Sequence, residues 1–190
     1  MILPPISRSL QKARVERLLN RYPATVPVRL AQREFVTKCV SLFTLTEPIL
    51  DVGSGYRSNE PEICTKRLVN YYTLDINPAW EPDFLGAAED MSAFPDGLFG
   101  TVLCTELLEH VPNPHRVVDE IRRVLISEGY LLVSVPFWVP IHRKPPYQED
   151  YWRFTPDGLM VLLNSFSLVM IELFGPGDAP EGIFALLKAP

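Results

Sequence analysis

Asp51-Val52-Gly53-Ser54-Gly55 places an acid and two glycines within five residues, directly after the apolar pair Ile49-Leu50. Short apolar residues running into glycines read as a buried strand that ends in a tight turn, because glycine enters backbone conformations that a Cβ forbids. Such a turn at the carboxyl end of a strand lets a ligand lie against bare backbone, the usual cofactor position in an open α/β sheet. An acid just before the glycines favours a cationic ligand at the floor of the site. Asp75 and Ile76 end a second apolar run twenty residues later, where a carboxylate can accept two hydrogen bonds from a ribose diol. Asp90 offers an acceptor for an exocyclic adenine amine, and Met91 an apolar side chain to pack on a ring.

The glycine turn admits two ligand classes. G-x-G after a strand suits a dinucleotide, but the third glycine of G-x-G-x-x-G is replaced by Ser58. Asp51 would also repel a pyrophosphate. A phosphate-free, cationic nucleoside fits better. His110 and His142 are candidate side chains to take a proton near neutrality, each with packing or hydrogen bonding as the plainer alternative. Tyr147, Tyr151, Trp152 and Arg153 lie in the aromatic, proline-rich stretch between residues 136 and 155 and form a candidate substrate rim. Arg153 would grip a carboxylate or phosphate bidentately or pair with a local acid. Trp152 is equally suited to packing under the helix that follows. Cys39, Cys64 and Cys104 are odd in number and scattered without a C-x-x-C pair. They read as reduced, buried thiols of a cytoplasmic protein, and no metal site is expected.

Positioning these residues requires a sheet. A helix is expected over Ser7 to Tyr22, with Val15, Leu18, Leu19 and Tyr22 on one face. A second should run from Val28 to Phe43. Strands are expected at Ile49–Val52, Tyr71–Ile76, Phe84-Leu85, Phe99–Thr105 and Tyr130–Val135, with a short crossover helix near Pro61–Leu68. Asn113 and Pro114 have the cap and first-turn chemistry of a helix that Gly129 stops. Thr155-Pro156-Asp157 opens another, and Ser167–Phe174 with Ile183–Leu187 makes a closing antiparallel pair. Repeated β-α units give a mostly parallel seven-stranded sheet wrapped by helices on both faces.

With 190 residues, 47% of them apolar, the chain fits one domain: residues 1–45 a helical cap or lid, residues 46–190 the sheet. No uninterrupted apolar run is long enough to span a membrane, and no leader peptide is expected. The net charge of −5 divides into +6 over residues 1–40 and −11 over the remainder. An acidic body argues against nucleic acid as substrate.

The motifs in register are similar to those of the class I S-adenosylmethionine-dependent methyltransferases, type 11 group. They are Asp51 to Gly55, Leu74-Asp75-Ile76, Ala88 to Met91, Phe99 to Val102, Thr105 to Pro114, Glu120 to Ile126 and Gly129 to Leu131. The resemblance spans roughly residues 45 to 165 and is most specific at Leu108-Glu109-His110-Val111-Pro112. It implies a Rossmann-like sheet and S-adenosylmethionine as cofactor. Gly53, Ser54 and Gly55 would face its amino-acid part, with Asp51 near the ammonium. Asp75 would hold the ribose, Asp90 and Met91 the adenine, and the backbone at Cys104 and Thr105 the methionine end. The implied activity is methyl transfer to a small molecule. Arg57 stands where the family has its third glycine. Other readings are an NAD(P)-binding oxidoreductase and a non-catalytic scaffold of the same fold.

Overall fold

A computed structural model describes residues 27–55, 59, 70–142, 146–176 and 178–190. The helices expected over Ser7–Tyr22 and Pro61–Leu68, and residues Arg57, Ser58 and Cys64, lie outside them. Helix α1 (Pro27–Leu42) precedes the sheet strands β1 (Ile49–Val52), β2 (Tyr71–Asp75), β3 (Phe84–Leu85) and β4 (Phe99–Thr105). Helix α2 (Pro114–Val124), strand β5 (Leu125–Pro136), helix α3 (Pro156–Leu162), β6 (Ser167–Phe174) and β7 (Gly182–Lys188) follow, and short 3-10 helices lie at Pro78–Trp80 and Leu108–His110. The seven strands form one sheet in the order β3-β2-β1-β4-β5-β7-β6. β1 to β5 pair in parallel, and β7 runs antiparallel to both its neighbours, β5 and β6.

Alternation along the central strands divides the core between the two faces. Ile49, Tyr71, Leu103, Leu132 and Leu186 join Val28, Phe35, Val36 and Cys39 of α1 in one cluster. Leu50, Val52, Leu74, Val102, Cys104, Leu131 and Val133 join Val117, Val118, Ile121 and Val124 of α2, with Leu159 and Leu162 of α3, in the other. Both sheet faces are therefore covered, as a parallel sheet requires. Among the described residues, no helix is long and apolar enough to cross a membrane.

The Asn113 side chain accepts a hydrogen bond from the Arg116 amide at 3.2 Å, and Pro114 supplies the first turn of α2. Asn113→Ala should cost about 1 kcal/mol, a fall in melting temperature of roughly 2–4 °C that a thermal denaturation series would read.

Strand β5 departs from expectation by starting at Leu125, five residues before Tyr130. The amides of Gly97 and Leu98 capture the Arg123 and Val124 carbonyls at 2.9 and 2.8 Å. These bonds draw the end of α2 straight into the sheet. The pairing then slips, with Phe99 opposite Leu125 but Thr101 opposite Tyr130. Glu128, at φ 62°, turns the intervening chain. Ile76 falls just outside β2, which ends at Asp75.

Candidate functional site

At the carboxyl ends of β1, β2 and β4 opens a cavity of about 990 Å³, into which α1 contributes Val28, Arg29 and Gln32. Gly53 follows β1 with φ +67°, its amide bonded to the Leu74 carbonyl at 2.8 Å. A Cβ at Gly53 would lie 2.6 Å from the end of the Leu107 side chain. Gly55 also has positive φ (+50°), but a Cβ there would meet nothing within 4 Å. The two glycines thus serve different ends: Gly53 admits Leu107, and Gly55 leaves space beside the cavity it lines. Gly53→Ala should lose about 2 kcal/mol to left-handed strain and displacement of Leu107. Its melting temperature should fall by roughly 4–8 °C, and more than that of Gly55→Ala.

Asp75 Oδ2 accepts from the Gly55 amide and Oδ1 from the Asn77 amide, each at 2.8 Å. Burial raises its pKa, and these backbone hydrogen bonds oppose the rise. The carboxylate is thereby fixed in orientation on the cavity wall, with further lone pairs for a diol. The Ser54 hydroxyl oxygen is buried with no hydrogen-bond partner among the described residues, and Ser54 lines the same cavity. Ile76 and Thr105 line it as well.

Asp51 occupies a different position from the one expected. It is fully buried and accepts from the Tyr71 hydroxyl and, at 3.1 Å, from the Asn59 amide. Asn59 also donates to the Thr105 hydroxyl at 2.8 Å and accepts from Gln32 at 2.8 Å. The acid therefore ties β1, β2, β4 and α1 together beneath the site and is not among the residues that line it. Asp90 is exposed, its carboxylate turned onto the Ser92 amide at 3.2 Å. Neighbouring Glu89, together with Gly86, Ala87 and Ala88, reaches the cavity instead. Met91 packs in the core, and its amide donates to Glu120 at 2.7 Å. Cys104 is buried, and burial holds its thiol protonated.

The opposite wall is polar. Glu106 takes a left-handed conformation (φ 51°) and accepts from the Ser134 hydroxyl at 2.8 Å, while burial raises its pKa. His110 has Nδ1 against the Glu149 carbonyl, and burial lowers its pKa. The His142 ring meets the His110 ring edge to face, 5.0 Å between centroids, so two separately expected residues come together. Tyr147 and Tyr151 line the cavity, whereas Trp152 and Arg153 do not. The Trp152 indole donates to the Val111 carbonyl at 2.9 Å. Arg153 grips both oxygens of Asp150, one of them at 2.8 Å. The pairing alternative is the one realised. Sequence reasoning passed over Glu106, Gln32 and Gln148 as lining residues. The spacing Glu106-x-x-Glu109-His110 was the signal available for the first.

Residues 50–133 match the family model described as a methyltransferase domain. A ubiquinone biosynthesis O-methyltransferase from Cupriavidus pinatubonensis is 24% identical over 145 residues, covering 69% of this chain and 58% of that one. The corresponding Xylella fastidiosa protein is 30% identical over 57% of this chain and 47% of its own length. The chain thus spans about half the length of these curated relatives. A Burkholderia thailandensis 1,6-didemethyltoxoflavin-N1-methyltransferase, solved with bound 1,6-didemethyltoxoflavin and S-adenosylhomocysteine, superposes with TM-score 0.66. It is 16% identical and covers 100% of this chain and 93% of that one. The fold is shared at this level.

Proposed function

We propose that this chain, whose residues 50–133 match the methyltransferase-domain model, is a methyltransferase of the class I, type 11 group that transfers a methyl group from S-adenosylmethionine to a small-molecule acceptor in the cytoplasm. The observation that carries the reading is the presence on one cavity wall of Asp75, clamped by the Gly55 and Asn77 amides, and of the buried Ser54 hydroxyl, which has no partner among the described residues. A carboxylate suits a ribose diol, and a spare hydroxyl suits the charged amino-acid end of the cofactor. The bare backbone at Gly55 gives the close approach both need. The residues present fit the cofactor.

When bound, S-adenosylmethionine supplies an electrophilic methyl on a sulfonium. The chain's part is to hold the two reactants in line, which removes much of the barrier to a displacement. Asp75, Gly55 and Ser54 fix the donor. Glu89 with Gly86 to Ala88 borders the adenine end, and Thr105 the methionine end. Asp51 supports this floor from below. Tyr147 and Tyr151 wall the acceptor space, and the acceptor meets His110 and His142 on the polar side. For a hydroxyl or amine acceptor, Glu106 receives the released proton: it lines the cavity, and burial pushes its carboxyl above the usual range, which makes it a better base. The volume of about 990 Å³ lies at the upper end of single-ligand cavities and leaves room for both reactants.

Calorimetric titration with S-adenosylmethionine and S-adenosylhomocysteine tests the assignment. Micromolar binding of both supports it. A folded protein that binds neither, or that binds NADPH instead, would refute it.

A further inference from the structure

We infer that Glu109, His110 and His142 form a binding site for one divalent transition-metal ion of the zinc class, on the polar wall of the cavity. One donor atom from each of the three residues lies within 4.8 Å of the others. Glu109 Oε1 is 3.5 Å from His110 Nε2, close to the roughly 3.3 Å that separates two ligands of a tetrahedral ion with bonds near 2.0–2.2 Å. A small inward movement of the exposed His142 ring would complete the set.

Two independent features indicate that a ligand is missing from this arrangement. The first is Glu109, which is 0% exposed while neither carboxylate oxygen has a hydrogen-bond partner among the described residues. A carboxyl group enclosed in this way is costly unless it binds something. The second is the orientation of the imidazoles. Nδ1 of His110 faces the Glu149 carbonyl and Nδ1 of His142 lies 3.2 Å from the Pro140 carbonyl. A backbone acceptor at Nδ1 fixes the tautomer that leaves a lone pair on Nε2; at His110 that lone pair now accepts from the Gln148 side chain at 3.2 Å and would pass to the ion.

The donor set selects the ion. One carboxylate with two imidazoles suits zinc, iron, cobalt or manganese, whereas calcium and magnesium demand oxygen ligands throughout. Gln148 adds a fourth position: its side-chain amide lies 3.2 Å from His110 Nε2, and turning the amide over presents its carbonyl oxygen. Nearby Arg153 does not repel the ion strongly, because both oxygens of Asp150 already hold its guanidinium. His110, His142 and Gln148 all line the cavity, so a remaining coordination position opens towards the acceptor space.

The inference does not rest on methyl transfer, and its test reads metal alone. The full chain, stripped with chelator, is titrated with Zn²⁺ by calorimetry and with Co²⁺ by visible absorption. One equivalent should bind, with a cobalt spectrum of nitrogen and oxygen ligation and no thiolate band. His142→Ala should weaken binding by at least about tenfold, as should Glu109→Gln. His115→Ala, on the exposed face of α2, should bind as the parent does. The His142 side chain is 43% exposed, so its variant keeps the fold and decides the matter if Glu109→Gln does not. No stoichiometric binding, or unchanged binding by His142→Ala, would overturn the site. Cofactor titration of the same samples reports separately on the proposed function.

Discussion

Asp75→Ala should abolish measurable S-adenosylmethionine binding while the protein stays folded. The Asp75 side chain touches the ligand space and also carries the Gly55 and Asn77 amides at 2.8 Å. On the proposed reading, replacement removes two charge-assisted hydrogen bonds to the ribose, each worth about 1.5–3 kcal/mol. It also frees the loop whose backbone the ligand approaches. An affinity loss of about 100-fold or more follows. Titration beside a thermal melt checks both halves of the expectation. A dissociation constant within about threefold of the parent's would refute the assignment of this wall to the cofactor.

Arg153→Ala should be the most destabilising change in the loop that follows β5. Asp150 is 1% exposed in its side chain, against 23% for Arg153. The guanidinium, followed by the His142 amide, holds the Asp150 carboxyl well below the usual range, against the effect of burial. Without the arginine an enclosed carboxylate keeps the His142 amide at 2.8 Å but loses its counter-charge, at a cost of about 2–4 kcal/mol. The melting temperature at neutral pH should fall by roughly 6–12 °C. Because the folded-state pKa of Asp150 is depressed, its contribution is complete above the unfolded value of about 4 and is lost as pH falls through the folded value. The gap between parent and variant should therefore narrow steadily on acidification below about pH 4. Melts of equal temperature at pH 7 would show the pair to be energetically idle.

Much of the architecture was legible because its signals are local. The apolar runs at Ile49–Val52 and Phe99–Thr105, the Asn113-Pro114 cap and the Thr155-Pro156 opening each fix an element within a few residues. The beginning of β5 was not, since Leu125 continues the apolar stripe of α2 and leaves it only through pairing with a strand twenty-six residues earlier. The site divides in the same way. Gly53, Ser54, Gly55 and Asp75 owe their places to the strand ends that carry them. Asp51 was expected to face a ligand, and its burial comes from Tyr71, Asn59 and Thr105, partners that only the assembled fold brings near. His110 and His142 were both singled out, but their contact, and the part of Glu109 beside them, depends on the turn of chain after β5.

The position of β7 bears on how the molecule is made. This strand, residues 182–188, lies between β5 and β6 and pairs with both. A ribosome releases β6 before β7, so for a time the nascent chain holds β5 and β6 with the strand between them absent. The edge of β5 must wait unpaired, and an open edge invites association with other chains. Completion of the sheet is thus set by emergence of residue 188 rather than by the earlier β-α units. A chain arrested before that point should be held in an aggregation-prone state even though every residue of the cofactor wall has already been translated.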